Sequence, residues 1–342
     1  MKKHLLLITT GGTIASENSG NGLAPSVSAE EILRSMEALI GFCNIDFMEL
    51  FRIDSTNMQP EHWMEIAKTI KKNYDKYDGF VVTHGTDTMA YTAAALSYLI
   101  QDSAKPIILT GSQKPLMDEV TDAKKNLADS IRFACEEGVS GVFIVFAGQA
   151  IAGTRARKFR SKSFSAFSSI NYPEIAVVDG ARVIKHALPP VPEGSVRFYD
   201  KMVPKVFLLK LIPGMDPGIL EYIGDHYDAV VLETYGVGGL PFPKNRNFMA
   251  GMKTLTDKGI PVVVATQVGM EGSDLETYEV GHEAMEKYDL MQAHDMTTEA
   301  VVTKLMWLLG LGLTGEELKE AFYTPVALDM VPASTLKWQE GE

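Results

Sequence analysis

Short apolar runs alternate along the chain with segments of helical periodicity. In the first half the runs are HLLLIT, GFVVTH, KPIILT and GVFIVF, and helical patterns cover Met89 to Ile100 and about Lys124 to Glu136. The runs are continuously apolar, which is typical of strands buried on both faces of a parallel sheet. The alternation favours right-handed parallel crossovers, so the pattern predicts an α/β fold with mainly parallel sheets. A loop is expected from Ala147, after the fourth run.

The pattern changes in a proline-rich, polar stretch that includes LPPVPEG and cannot continue a helix. Three more apolar runs follow, KVFLLKLIPG, YDAVVLETYG and GIPVVVATQV, each with a helical segment after it. A chain of 342 residues is long enough for two cores. We therefore predict a larger N-terminal α/β domain over residues 1–187, a linker over 188–205 and a smaller C-terminal α/β domain over 206–342.

Composition and charge narrow the classes of partner. Hydrophobic residues make up 46% of the chain and charged residues 22%, which is typical of a globular protein. The formal net charge of −12 would repel phosphate groups, which argues against nucleic acid and anionic membranes as partners. Cys43 and Cys135 are far apart in sequence, which argues against a disulfide framework and offers no metal cluster. The apolar run at Leu5–Ile8 is shorter than a secretory segment, so we expect a cytoplasmic protein.

Four polar loops follow the apolar runs of the first half. In open parallel sheets, ligands bind at the carboxyl ends of the strands, so these loops are where chemistry is expected. The loops are TGGTIA from Thr10, HGTDT from His84, TGSQKP from Thr110 and GTRARK from Gly153.

The first loop places two glycines before Thr13. Glycines allow a sharp turn and present bare N–H groups to a developing oxyanion, so the Thr13 hydroxyl is a candidate nucleophile. A glycine turn in which Thr13 satisfies local backbone groups, or a phosphate-binding loop, also explains the residues. The spacing matches neither the GxGxxG nor the Walker pattern.

The second loop carries more polar groups than a helix start needs. Thr86, Asp87 and Thr88 precede a helix, where N-capping is their simplest role, but one capping residue is enough. His84 is a candidate general base, although a histidine at a strand end is more often packed and hydrogen-bonded. Lys158 belongs to a basic run that is by default a solvated face. A lysine folded inward beside Asp87 could instead hold or relay a proton for a threonine hydroxyl.

Taken together, these loops resemble the bacterial-type L-asparaginase family, and most closely its cytoplasmic, type I branch. TGGTIA and HGTDT match the two signature motifs of the family in sequence and separation. Further matches extend over nearly the whole chain: DSTNM from Asp54, TGSQ from Thr110, Asp122 with Asn126, ETYGVG from Glu233 and DMTTEA from Asp295. The resemblance implies hydrolysis of L-asparagine to aspartate and ammonia, without a metal or an organic cofactor.

The resemblance also implies roles for individual residues. Thr13 attacks the amide carbon and forms an acyl-enzyme. Thr86, Asp87 and Lys158 form a second hydroxyl–carboxylate–lysine set that activates a nucleophile or water, and the sequence leaves open which threonine performs which step. The substrate-binding residues that it implies are Asp54, Ser55 and Thr56 for the α-carboxylate, Asp87 for the α-ammonium group and Ser112 for the amide side.

The chain departs from the family pattern at three places. Leu23 stands where many members carry a tyrosine that is hydrogen-bonded to the nucleophile. Glu279 is the nearest candidate for a glutamate that, in some members, binds the ammonium group from an adjacent subunit. Glu233 and Val268 replace the arginine and cysteine of the effector site of some type I enzymes. The family resemblance implies a homodimer or a homotetramer.

Two other functions are compatible with parts of this pattern. An asparaginase-like amidotransferase subunit for misacylated tRNA normally carries an added N-terminal domain and an RNA-binding partnership, whereas the first motif here begins at Thr10 and the chain is acidic. An amino-acid sensor without turnover would not need Thr13, Thr86, Asp87 and Lys158 together. The sequence therefore favours an L-asparagine amidohydrolase that prefers asparagine to glutamine.

Overall fold

The computed structural model describes residues 2–18, 23–25, 41–243, 245–277, 281, 285 and 287–331, with the backbone alone for 15–18 and 23–25. The chain divides into two compact units, Met1–Asp200 and Lys201–Glu342. The border between them falls within the segment for which a linker was expected. Each unit contains a sheet with parallel strands, and the predicted α/β class with mainly parallel sheets is confirmed.

The first unit is built on an eight-stranded sheet. Its helices are α1 (Pro60–Asn73), α2 (Met89–Leu99) and α3 (Ala123–Cys135). Its strands are β1 (His4–Gly11), β2 (Ser16–Asn18), β3 (Leu23–Pro25), β4 (Asn44–Ile53), β5 (Gly79–Thr83), β6 (Ile100–Gln101), β7 (Pro106–Thr110), β8 (Gly141–Phe146), β9 (Gln149–Ala152), β10 (Ala156–Lys158), β11 (Phe167–Ser169), β12 (Ala176–Asp179), β13 (Arg182–Lys185) and β14 (Arg197–Phe198).

The order of strands in the large sheet is β13-β12-β9-β8-β7-β5-β1-β4. The five strands from β8 to β4 are parallel to one another, and β9, β12 and β13 continue the sheet in antiparallel pairs. Strands β5 and β7 are buried over their whole length, as their continuously apolar sequences predict. The remaining short strands form separate antiparallel pairs, β2 with β3, β10 with β11, and β6 with β14.

Helix α2 lies inside the first unit rather than on its surface. Ten of its eleven residues are buried, and several of them are alanines. Small side chains allow neighbouring backbone to approach closely. Gly153 uses this space, because a Cβ atom there would lie 2.7 Å from the Ser97 Oγ and 2.9 Å from the Ala93 carbonyl oxygen. The chain that follows Gly153 forms β10, which contacts α2.

Two strands of the sheet differ from the sequence-based expectation. The loop expected from Ala147 is instead a tight turn, in which Ala147 (φ 51°) and Gly148 (φ 81°) both adopt left-handed backbone and the chain returns as β9. Two consecutive residues with positive φ suit the right-handed twist of a hairpin. Strand β4 was not indicated by an apolar run. It is an edge strand, and most of its residues are partly or fully exposed.

The second unit contains a four-stranded parallel sheet in the order β15-β16-β17-β18. Its core includes Val230 and Leu232 of one strand, Val264 of the next, and Phe248 and Met252 of a helix. Its elements are β15 (Val206–Lys210), α4 (Ile219–His226), β16 (Ala229–Thr234), α5 (Phe248–Asp257), β17 (Val262–Thr266), β18 (Met291–Gln292), α6 (Thr298–Gly310) and α7 (Gly315–Tyr323).

A fully buried ion pair joins α6 to the chain beyond α7. Lys304 Nζ lies 2.7 Å from Asp329 Oδ2 and donates to the Thr324 carbonyl at 2.8 Å, and both charged side chains are 0% exposed. Burial lowers the pKa of Lys304, and Asp329 acts in the opposite direction. The Val326 N–H donates to Asp329 Oδ1, next to two residues with left-handed backbone at 327 and 328. The pair therefore holds a tight backbone segment against the helix.

Removing one partner of this pair should strongly destabilise the second unit. In Lys304→Met the Asp329 carboxylate stays buried without its countercharge, so we expect the free energy of unfolding to fall by about 3–5 kcal/mol in urea titrations. Lys253→Met is the matched control, since Lys253 and Asp257 form an exposed pair on α5, and it should change stability little. Equal effects of the two substitutions would contradict a special role for the buried pair.

Candidate active site

Four strands that lie side by side end at one edge of the large sheet. In the order β4-β1-β5-β7 they are parallel, so their carboxyl ends point the same way. The ends are also in register, because Thr9 pairs with Thr83 and Thr83 pairs with Thr110. The loops that follow carry Thr13 after β1, Asp54, Ser55 and Thr56 after β4, Thr86 and Asp87 after β5, and Ser112 after β7.

The two glycines before Thr13 are fixed by close contacts. Gly11 (φ 100°) and Gly12 (φ 80°) both have left-handed backbone. A Cβ atom on Gly11 would lie 2.5 Å from the Ile53 carbonyl oxygen, and one on Gly12 would lie 2.4 Å from the Gly85 nitrogen. The first loop therefore lies directly against the loop after β5. Thr13 follows in a 3₁₀ turn and is partly exposed.

Two neighbouring side chains of the loop after β5 and a lysine far from them in sequence form one hydrogen-bonded set. Lys158 Nζ donates to Thr86 Oγ1 at 2.7 Å and to Asp87 Oδ1 at 2.6 Å. The Thr86 hydroxyl donates to Gln113 Oε1 at 3.3 Å. The Lys158 side chain is 17% exposed and that of Asp87 is 57% exposed. The lysine is therefore mostly enclosed, whereas the carboxylate also faces solvent.

Lys158 reaches this edge because of the path of the chain after β9. The sequence analysis placed Lys158 in a loop. In the structure it is instead the last residue of β10, where it pairs with Phe167 of β11. The close passage of Gly153 over α2 directs β10 along that helix, whose N-terminus follows the loop with Thr86 and Asp87. Lys158 therefore turns inward, unlike a lysine on a solvated face.

The capping interpretation of the loop after β5 is wrong. Thr88 occupies the N-cap position of α2, but its side chain makes no capping hydrogen bond. Its hydroxyl donates instead to the Ser55 carbonyl at 2.7 Å. Since Thr86 and Asp87 bond to Lys158, all three polar side chains link α2 to other segments of the unit.

His84 is a packed histidine, as its position at a strand end indicated, and not an accessible base. It is completely buried, with Nδ1 2.6 Å from the Gly85 carbonyl and Nε2 2.8 Å from Thr92 Oγ1. A carbonyl can only accept, so Nδ1 carries the proton and the Thr92 hydroxyl donates to Nε2. Burial lowers the pKa of His84 to about 4. The ring is therefore neutral and ties β5 to α2.

This histidine makes stability depend on pH in a defined interval. As the pH falls below 6.5 the unfolded imidazole binds a proton, whereas the folded one stays neutral until about pH 4. Stability from this residue is complete above pH 6.5 and is lost as the pH falls towards 4, by about 3 kcal/mol in total. Urea titrations across that interval should show a shallower pH dependence for His84→Asn than for the wild type. Parallel curves would refute the assignment.

The loop after β4 is organised by its first residue. Asp54 Oδ1 accepts from both the backbone N–H and the hydroxyl of Thr56, each at 2.9 Å. Ser55 is buried, and its Oγ accepts from the Asp87 N–H at 3.3 Å. The structure thus brings Ser55 into contact with the loop of Thr86 and Asp87, while Asp54 stabilises the 3₁₀ turn Ser55–Asn57.

The loop after β7 depends on residues to which the sequence analysis assigned no role. Ser112 is buried, and its hydroxyl donates to the Lys114 carbonyl. Asp122, just before α3, accepts from the backbone N–H groups of Gln113 and Lys114 and from the Asn126 amide. Asp122 and Asn126 could be singled out in the sequence only because they are among the family matches. Their role in supporting the loop is seen only in the structure.

Two of the three departures from the family pattern lie in parts of the chain that the structure describes only in part or not at all. For Leu23 the backbone lies in β3, which pairs with β2 and contacts the turn that carries Thr13. Glu279 lies outside the described residues. Among the residues that are described, no group of three histidine, cysteine, aspartate or glutamate side chains is placed to hold a metal ion. No helix in the described ranges is long and apolar enough to cross a membrane.

Comparisons with known proteins identify the family of this chain. The family model "Asparaginase, N-terminal" matches residues 4–189, and the model "Glutaminase/Asparaginase C-terminal domain" matches residues 205–322. The chain belongs to the asparaginase family. The resemblance inferred from the motifs is therefore confirmed.

Asparaginases that resemble this chain do so over nearly its whole length. The L-asparaginase of Thermococcus kodakarensis is 39% identical over 94% of this chain and 98% of its own. L-asparaginase 1 of Escherichia coli K12 is 33% identical over 97% of this chain and 99% of its own. The solved structure of the thermostable T. kodakarensis L-asparaginase has a TM-score of 0.89 at 38% identity, and the match covers 96% of this chain and 99% of that one.

Proposed function

We propose that this protein is an L-asparagine amidohydrolase that uses Thr13 as its nucleophile. The observation that carries the proposal is the set of Thr86, Asp87 and Lys158, held at the same sheet edge as Thr13. A threonine hydroxyl is a weak nucleophile, so it needs a nearby group that accepts or relays a proton. The Gly12 N–H donates to the Ile53 carbonyl at 3.1 Å, so the glycine turn fixes the loop that presents the Thr13 hydroxyl.

In the first step the Thr13 oxygen attacks the side-chain amide carbon of asparagine. The carbonyl oxygen becomes an oxyanion, the C–N bond breaks, and the amide nitrogen takes up a proton and leaves as ammonia. Thr13 is then joined to the aspartyl group by an ester bond. In the second step a water molecule attacks the ester carbon, the bond to Thr13 breaks, and aspartate leaves with the threonine hydroxyl restored.

Lys158 is the residue best placed to move protons in these steps. As an ammonium group it donates to Thr86 and Asp87, and the Thr86 proton is directed to Gln113. As a neutral amine it can accept the Thr86 proton, which leaves an oxygen able to deprotonate water or Thr13. The Asp87 carboxylate stabilises the charged form, so the set can carry a proton in either direction.

The same edge offers groups for the rest of the substrate. Asp87 is more than half exposed and can pair with the α-ammonium group. Ser55 and Thr56, with Asp54 fixing their turn, are assigned to the α-carboxylate. The Ser112 hydroxyl is buried and donates to the Lys114 carbonyl, and its assignment to the amide side of the substrate rests on the family resemblance. A cytoplasmic homodimer or homotetramer, with Glu279 reaching a neighbouring site, completes the proposal.

Ammonia release from asparagine and from glutamine, measured across concentration, tests this function. We expect kcat/KM to be clearly higher for asparagine than for glutamine. Comparable kcat/KM values would refute the substrate preference. Binding of aspartate without any ammonia release would support the sensor instead. The intact set of Thr86, Asp87 and Lys158 counts against that outcome, because binding alone does not require a proton relay.

A further inference from the structure

The two cysteines of the chain meet at the end of the first unit opposite the candidate site. Cys43 lies immediately before β4, Cys135 is the last residue of α3, and 92 positions separate them in sequence. Their separation suggested no relation, but the Cys135 thiol is hydrogen-bonded to the Cys43 sulfur. No disulfide joins them in the structure.

The backbone on both sides of this thiol pair is fixed by one residue. The Lys3 carbonyl accepts from the Asn44 N–H at 2.9 Å, and Lys3 Nζ donates to the Glu136 carbonyl at 3.1 Å. Lys3 thus bridges the immediate neighbours of both cysteines. In addition, the Arg132 guanidinium lies 4.2 Å from the centre of the Phe42 ring. These contacts hold the strand and helix ends together independently of the thiols.

The surroundings make the two thiols chemically different. The hydrogen bond from Cys135 lowers the pKa of Cys43, and the nearby charges of Lys2 and Arg132 act in the same direction against the effect of burial. The same hydrogen bond raises the pKa of Cys135. Cys43 is therefore the first to ionise, and the thiolate is the form that attacks a disulfide. Cys43 is buried and Cys135 is partly exposed, so a small reagent reaches the thiol pair from the side of Cys135.

We propose that Cys43 and Cys135 form a reversible dithiol–disulfide site that is oxidised by low-molecular-weight disulfides such as glutathione disulfide. The Cys43 thiolate attacks one sulfur of the reagent, whose S–S bond breaks and releases one glutathione. The Cys135 sulfur, after losing its proton, attacks the Cys43 sulfur of the mixed disulfide and releases the second glutathione. Two protein thiols are oxidised and one small disulfide is reduced to two thiols.

The position of the bond determines its effect. Strand β4 leads to Asp54 at its far end, and α3 begins next to Asp122, which supports the loop of Ser112. The cysteines lie at the opposite ends of both elements, so the bond would tie them together without entering the candidate site. It closes a long loop, which restricts the unfolded chain. The oxidised form should therefore be more heat-stable and should keep its activity.

The test uses the full-length protein, first reduced and then incubated with excess glutathione disulfide. We expect both thiols to become unreactive towards maleimide, without a glutathione adduct in the intact mass. Peptide mapping should give one cross-linked pair containing Cys43 and Cys135. Dithiothreitol should reverse the change, and Tm should be several degrees higher in the oxidised form. A stable glutathione adduct on the wild type, a disulfide between chains, or unreacted thiols would each overturn the proposal.

Single substitutions separate the two thiols. Cys135→Ser leaves Cys43 to attack but removes the second thiol, so it should accumulate a mixed disulfide with glutathione at Cys43. Cys43→Ser leaves only the Cys135 thiol, so any mixed disulfide with glutathione in that variant must form at Cys135 and cannot be resolved. Neither variant should show the rise in Tm. A rise in Tm of either variant after incubation with glutathione disulfide would contradict the proposal.

Discussion

Replacing Thr13 with alanine is expected to lower kcat for asparagine by about four orders of magnitude or more, because no acyl-enzyme can form. The loop itself should survive, since its shape depends on Gly11 and Gly12 and on their contacts with Ile53 and Gly85. Binding of aspartate, measured by calorimetry, should therefore change little. Ammonia release followed over hours gives the residual rate.

A matched control separates chemistry from loop structure. Thr10 lies three residues before Thr13, near the end of β1, is buried, and donates its hydroxyl proton to the Thr83 carbonyl at 2.9 Å. Thr10→Val should lower stability while leaving much of kcat in place, the reverse of the result for Thr13. Thr13→Ser should retain part of the activity, because it keeps the hydroxyl. Full ammonia release by Thr13→Ala would show that another group is the nucleophile.

Lys158→Met should lower kcat by about a hundredfold to ten-thousandfold, the range for loss of a positioned proton-transfer group. Methionine fills similar space but can neither donate to Thr86 and Asp87 nor accept a proton. The stability cost should be small, because the Asp87 side chain is 57% exposed and water can solvate its carboxylate. Steady-state rates of ammonia release, with a urea titration of the same preparation, measure both effects.

Arg160→Met is the control for charge alone. Arg160 belongs to the same basic run, but its guanidinium donates to the Ser165 carbonyl within its own hairpin. We expect kcat to stay within about twofold of the wild type, as for most exposed charges. If both substitutions lowered kcat equally, the effect of Lys158 would be general electrostatics, and the proton relay would have to be abandoned.

Sequence patterns predicted the parallel part of the fold because burial and periodicity are local properties. The runs at β1, β5, β7 and β8 are apolar enough to identify strands, and the helices α2 and α3 begin and end within one residue of their predicted limits. Strand β4 was not predicted, because an edge strand carries polar residues at its exposed positions and so lacks a continuous apolar run. Strand β9 was not predicted, because the turn before it requires positive φ angles at Ala147 and Gly148. An alanine followed by a single glycine does not indicate such a turn.

The candidate site could be predicted only in part, and that part came from sheet topology and family resemblance, not from burial and periodicity. The loops after β1, β5 and β7 share one end of the sheet by topology, so their polar residues could be grouped in advance, whereas the loop of Asp54 after β4 was identified only from the family resemblance. Lys158 was identified from family resemblance, because nothing in a basic run shows which side chain turns inward. The cause is the contact of Gly153 with α2, which is not visible without the structure. The hydrogen bonds of Asp122 to the loop of Gln113 were likewise missed, since they depend on how closely the start of α3 lies against that loop in space.

The enclosure of α2 has a consequence for how this protein loses activity. Thr86 and Asp87 lie just before the N-terminus of this helix, and nearly every side chain along the helix is buried. Its amide protons should therefore exchange with deuterium only when that whole unit opens cooperatively, not through local fraying. Heat inactivation would then coincide with collapse of the first unit, and no folded but inactive species should accumulate on the way.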